Sequence, residues 1–175
     1  MLSGPARILA AMAAVAMVTA ACGGAGAVGP SAATRVTVSA ADSAWPPSPA
    51  GTWGVKPTVV VPTSPPPTRL VTEDLIVGTG AVAKPGDAVT VQYVGVSYTT
   101  KKQFDASWDR NQAFPFTLGI RQVIAGWDEG VVGMRVGGRR ELIIPPSLAY
   151  GDKSPGPGIV KNDTLIFIVD LLQVG

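Results

Sequence analysis

Leu165-Ile-Phe-Ile-Val-Asp-Leu-Leu172 is an almost unbroken apolar run, and it restricts the folds open to this chain more than any other stretch. Its β-branched and aromatic content suits a strand buried on both faces. The run therefore predicts a central strand over Thr164 to Val174, and a central strand needs neighbours. Val89, Val91 and Tyr93 alternate with Thr90, Gln92 and Val94, the period of a half-buried strand. Arg139 to Ile144 reads as another. Asp74-Leu-Ile-Val-Gly-Thr-Gly80 reads as a short strand running into a glycine turn, and Lys84-Pro-Gly-Asp87 as a turn. Gln103 to Ser107 and Phe114 to Phe116 supply two further short pieces, the second ended by Gly119.

Helical spacing occurs over Gln122 to Met134, where Val123, Ile124, Trp127, Val131 and Met134 fall near one face. Gly126, Gly130 and Gly133 weaken that helix by roughly 0.5–1 kcal/mol for each interior glycine, so it needs a sheet to pack on. Pro145 to Asp163 is rich in Pro, Gly and Ser and is loop. Strands outnumber helices and no βαβ rhythm is present. The expected class is α+β: an antiparallel sheet of five to six strands curved over one short α-helix, spanning residues 68–175.

Several chemistries are excluded at once. The chain has no histidine, which removes imidazole metal sites, Ser-His-Asp triads and histidine bases. One cysteine allows no intrachain disulfide. Up to Pro67 the charges are Arg7, Arg35, Lys56 and Asp42; from Thr68 onward there are 11 of each sign, so no nucleic-acid surface is expected. The carboxylates show no metal-ligand pattern and nothing resembles a phosphate loop, so neither metal nor cofactor is expected.

The first 67 residues are a different kind of chain. Residues 1–21 read as an export signal, with Arg7 as the positive region and Ile8 to Val18 as the apolar one. Thr19, Ala20 and Ala21 lead to Cys22, an arrangement resembling a bacterial lipobox, although leucine is usual where Thr19 stands. Two destinations follow: an outer-face membrane protein lipidated at Cys22, or a secreted protein with an incidental cysteine. Residues 22–50 are Gly, Ala, Ser and Pro with few large side chains, the composition of a disordered tether. Residues 51–67 are proline-dense, which argues for a stiff extended linker. Trp53 and Val59 to Val61 argue instead for loose packing on the domain.

The folded part carries Val91-Gln-Tyr-Val-Gly95, Phe104-Asp-Ala-Ser107, Asp109-Arg-Asn111, Phe114-Pro-Phe-Thr-Leu-Gly119 and Val123-Ile-Ala-Gly-Trp-Asp-Glu-Gly130. Met134-Arg-Val-Gly137, Ile144-Pro-Pro, Leu148-Ala-Tyr-Gly151 and the Leu165 run follow. In this order and spacing they closely resemble the FK506-binding family of peptidyl-prolyl cis-trans isomerases, and the signal with the Trp-Gly-Val-Lys-Pro lead-in looks like exported members from actinobacteria. The resemblance implies a catalytic pocket of Tyr93, Phe104, Asp105, Trp127, Tyr150 and Phe167, with Trp127 as its floor. It implies substrate contacts from Arg110, Phe114, Val123, Ile124 and Ile159. The Ile124 N–H and the Tyr150 hydroxyl would bind ligand carbonyls, and Arg110 would pair with Asp105 and Tyr93. The implied partners are proline-containing polypeptides and macrolides of the FK506 and rapamycin kind, the membrane entering only through the lipid anchor.

Two positions depart from the family pattern. Trp108 stands beside the expected rim where a polar residue is common, and Gly156 stands in the flap where the best-known members carry histidine. The flap has no room for the inserted chaperone domain of the metal-binding relatives, and their His-rich tail is absent. The expected function is isomerisation of Xaa-Pro bonds in exported proteins; a catalytically weak proline-binding or chaperone-like surface module would need the same walls. Without the resemblance, plain core packing is the simpler account of Tyr93, Trp127 and Phe167, and it is kept for Phe116. Asp109, Asp128 and Glu129 read as solvated faces, and Trp45 and Trp53 take no catalytic part. A monomer is expected, since no long apolar face is left unassigned.

Overall fold

The computed structural model describes residues 46–175. The expected signal peptide (1–21), the Cys22 lipidation site and the tether as far as residue 45 lie outside the described residues. The strands are β1 (Val71–Ile76), β2 (Ala88–Ser97), β3 (Gln103–Ala106), β4 (Phe114–Thr117), β5 (Arg139–Ile144) and β6 (Leu165–Val174). They form one open antiparallel sheet in the order β1-β5-β6-β2-β3, with β4 also paired to β2. The apolar run is central, as its composition requires: β6 lies between β5 and β2, and every residue from Leu165 to Leu171 is buried.

The single α-helix among the described residues, α1, is Ala125–Gly130. It is much shorter than the Gln122 to Met134 expected from spacing. Ile124 is extended (ψ 150) and Gly133 is left-handed (φ +84), so the backbone leaves helical geometry on either side. The apolar face survives the shortening, with Trp127, Val131 and Met134 buried in the main core. β1 also lies earlier than expected. Pairing with β5 ends at Ile76, after an irregularity between Asp74 and Ile76, and the glycines beyond pack against the 135–138 turn.

Alternation sorts the sheet into two faces. One carries Val91, Tyr93, Leu142, Ile144, Phe167 and Val169 into the main core under α1. The opposite, outer face carries Val94, Val96, Ile143 and Ile166, together with Arg139, Glu141 and Asp170. Arg139 and Asp170 form an ion pair (Nε to Oδ1 2.5 Å) whose side chains are 0% and 1% exposed.

Residues 46–67 cross that outer face as a strap. Ser48 donates from Oγ to Glu141 Oε1 (2.5 Å) and from its N–H to Oε2 (3.2 Å), and accepts from the Val60 N–H (2.9 Å). Arg139 donates to the Ala50 and Val55 carbonyls at 2.7 and 2.8 Å. Val59 and Val61 then pack on both outer-face apolar clusters. The Tyr98 hydroxyl donates to the Ser64 carbonyl (2.9 Å) and holds the far end. The strap therefore begins by Ser48, inside the stretch expected to be tether, and its polar groups satisfy the buried charges of β5.

Candidate active site

Trp127 occupies its place because two glycines bring α1 against the sheet. A Cβ on Gly126 would overlap Ile144 Cγ2, and one on Gly130 would lie 2.8 Å from Leu142 Cδ2. At that distance the indole reaches the centre of an aromatic cluster. It meets Tyr93 edge-on at 5.1 Å and Phe167 edge-on at 5.2 Å, with Phe116 tilted at 5.5 Å. Phe104 and Phe167 pack edge to face at 5.5 Å over Gly95, where a Cβ would lie 2.7 Å from both rings.

Above the indole is a cavity of about 200 Å³ lined by Tyr93, Phe104, Asp105, Phe114, Val123, Ile124, Trp127, Tyr150 and Phe167, with Gln122 in addition. Nine of the sequence-predicted site residues thus come together around one space. Arg110 stands behind it through Asp105. Ile159 is buried in the same core cluster as Tyr93, Trp127 and Phe167, and its carbonyl accepts from Ser154 Oγ (2.6 Å). Trp108 is not on the rim. Its ring packs on the outer face against the cluster of Val94, Val96 and Ala106. Strand β3 ends at Ala106, and Trp108 opens the 3-10 turn Trp108–Arg110 that follows Ser107. Gly156 faces open space.

The polar wall is a closed set. The Tyr93 hydroxyl donates to Asp105 Oδ2 and accepts from Arg110 Nη2 (3.0 Å), while Arg110 Nη1 donates to Asp105 Oδ1. Burial pushes the Tyr93 hydroxyl up to about 12, reinforced by its bond to Asp105, so it stays protonated. Burial also works to raise Asp105, but the bonds from Tyr93 and Arg110 prevail and hold its carboxyl below the usual range. Tyr150 is pushed up by burial and by Asp105, and is 37% exposed at the cavity's edge.

Two loops frame the cavity through contacts that composition does not announce. Asp128, expected as a solvated face, accepts the Gly119 and Arg121 N–H groups at 2.8 and 3.0 Å. Gln122 accepts the Thr117 N–H (2.7 Å), so the segment bearing Val123 and Ile124 is tied at both ends. Asp163 accepts from Ser97 Oγ (2.5 Å) and Thr99 Oγ1 (2.7 Å), fastening the end of the flap to the β2–β3 turn. The loop run Asn162-Asp163-Thr164, rich in residues that bond locally to backbone and hydroxyls, is the signal that could have found it. No proton donor or acceptor in the site titrates near neutrality by its nature; the space offers apolar walls, one oriented carboxylate and hydroxyl dipoles.

Comparison with known proteins gives the same picture. Residues 80–172 match the family of FKBP-type peptidyl-prolyl cis-trans isomerases. An FK506-binding protein of Streptomyces anulatus is 53% identical over 120 residues, covering 68% of this chain and 97% of that protein. A probable FK506-binding protein of Corynebacterium glutamicum is 50% identical over 118 residues, 67% of this chain and 98% of that one. Among solved structures, FkpA from Escherichia coli matches with a TM-score of 0.54 at 42% identity, over 60% of this chain and 47% of that chain. AtFKBP13 matches with a TM-score of 0.55 at 34% identity, over 61% of this chain and 93% of that one.

Proposed function

The chain belongs to the FKBP-type peptidyl-prolyl cis-trans isomerases, and from that premise we propose that it isomerises Xaa-Pro bonds of exported polypeptides by drawing the amide into the Trp127-floored cavity. The family binds proline-containing substrates and FK506-type ligands. The observation that carries the proposed mechanism is an aromatic-walled space whose one carboxylate, Asp105, is fully engaged by Tyr93 and Arg110.

The barrier to rotation, roughly 18–20 kcal/mol, is the loss of C–N resonance in the twisted amide. The planar amide is the more dipolar state, and water stabilises it. Transfer to apolar walls removes that stabilisation from the planar form and less of it from the twisted one, so the transition state is bound better than the ground state. No proton has to move. Asp105 acts as an oriented dipole acceptor, and the Ile124 N–H and Tyr150 hydroxyl hold the flanking carbonyls. Export and attachment at Cys22 are part of the same proposal, supported by the apolar segment that precedes the single cysteine.

The test is catalysed exchange of a short Xaa-Pro peptide, followed by line-shape or exchange NMR. Exchange that a stoichiometric FK506 addition abolishes supports the reading. Tight FK506 binding with exchange at the uncatalysed rate would sink the mechanism. Mass spectrometry of the membrane fraction for diacylglyceryl-Cys22 tests the anchor.

A further inference from the structure

We propose that Lys56, in the strap on the outer face of the sheet, is a positioning residue for isomerisation: by pairing with Asp109 it fixes the turn that presents Arg110 to the cavity's polar wall. The inference rests on the assignment of Asp105 and Tyr93 to the working pocket.

The physical path is continuous. Lys56 Nζ lies 2.5 Å from Asp109 Oδ1, and Gln103 donates to the other oxygen at 2.7 Å. Asp109 is the middle residue of a single 3-10 turn, Trp108–Arg110, closed by Asn111 in the left-handed region (φ +49). Trp108 on one side of Asp109 rests on the outer-face cluster that Val59 and Val61 of the strap also cover. Arg110 on the other side reaches Asp105 and the Tyr93 hydroxyl. One three-residue turn thus meets the strap through Asp109, shares the strap's apolar cluster through Trp108 and reaches the cavity wall through Arg110.

Exposed ion pairs are ordinarily weak because two long side chains must be immobilised. Here the backbone around Lys56 is already held. The Val55 carbonyl accepts from buried Arg139 (2.8 Å), and Pro57 is buried with its φ set by the ring. Much of the ordering cost falls on contacts that exist for other reasons. The pair remains at the surface, with side chains 39% and 50% exposed, so it is open to screening by salt. That gives it a signature a purely structural residue lacks.

The experiment uses the full chain and compares Lys56→Ala, Lys56→Arg and the exchanged pair Lys56→Asp with Asp109→Lys. The readout is kcat/KM on a short Xaa-Pro peptide at low and at about 0.5 M salt, with Arg110→Ala alongside. The expected result is a two- to fivefold loss for Lys56→Ala at low salt, most of it recovered in Lys56→Arg and in the exchanged pair. At high salt the ratio of parent to Lys56→Ala falls toward one. Unchanged activity in Lys56→Ala, or a loss that neither the exchange restores nor salt equalises, overturns the inference while Arg110→Ala stays impaired. If Arg110→Ala and Asp105→Val are both fully active, the pocket assignment itself has failed, and the positioning role with it.

Discussion

The Tyr93 hydroxyl is held on both sides, donating to Asp105 and accepting from Arg110 at 3.0 Å, so that the carboxylate at the cavity's edge has one orientation. Asp105→Val removes the oriented dipole while leaving the aromatic walls. It should lower kcat/KM at least tenfold, about 1.4 kcal/mol of transition-state stabilisation. Phe104→Ala, which opens the wall, should do the same. Circular dichroism near that of the parent distinguishes a lost dipole from a lost fold.

The activity should have no bell-shaped pH dependence. The Tyr93 hydroxyl is raised to about 12 by burial and its bond to Asp105, and Asp105 lies below the usual range, so neither changes charge from about pH 6 to pH 9. kcat/KM should be level across that interval and fall only in acid, as Asp105 takes up a proton. A titration of activity centred near pH 7 contradicts the proposed roles.

Stability should show the opposite slope at Glu141. Its burial raises the carboxyl above the ordinary range, against the bonds from Ser48. The folded state therefore holds the proton more tightly than the unfolded chain. Its contribution is full below the ordinary glutamate range and is lost as pH rises through the raised value. In urea titrations Glu141→Gln should gain on the parent as pH rises from the ordinary glutamate range through the raised value above it. A constant difference across that range argues against a buried charge there.

Gly126→Ala tests how closely α1 must approach the sheet. Alanine improves helix propensity by roughly 0.5–1 kcal/mol, but its methyl group overlaps Ile144 Cγ2, and overpacking costs about 1–3 kcal/mol. The net expectation is destabilisation by about 1–2 kcal/mol, read from the urea midpoint, with activity reduced because Trp127 is carried outward. Increased stability with unchanged turnover would mean that the helix can lift without moving the floor.

Most of what lies near the cavity was legible because the signals are local. The period-two run at Val89 to Tyr93 and the apolar Leu165 run dictate paired strands, and the glycine pair in α1 predicts close approach to the sheet. Helix length failed because the spacing of Val123, Ile124, Val131 and Met134 persists through extended and turn backbone on either side of six helical residues. Trp108 was misplaced because a motif match conveys neighbourhood but not which way a side chain turns. The strap was least legible. Trp53 and Val59 to Val61 signalled packing for its later part, but Pro46 to Ala50 belong to a stretch whose composition looks unable to build structure. Ser48 nevertheless meets a carboxylate 93 residues away, and only the folded sheet supplies that partner.

The strap also gives the domain a front and a back. Ser48 sits beside Glu141, and the strap runs over the face whose reverse side carries Trp127 and the cavity. The cavity and its aromatic floor therefore lie on the side of the sheet that the strap leaves uncovered, so a polypeptide entering the cavity does not have to displace the strap.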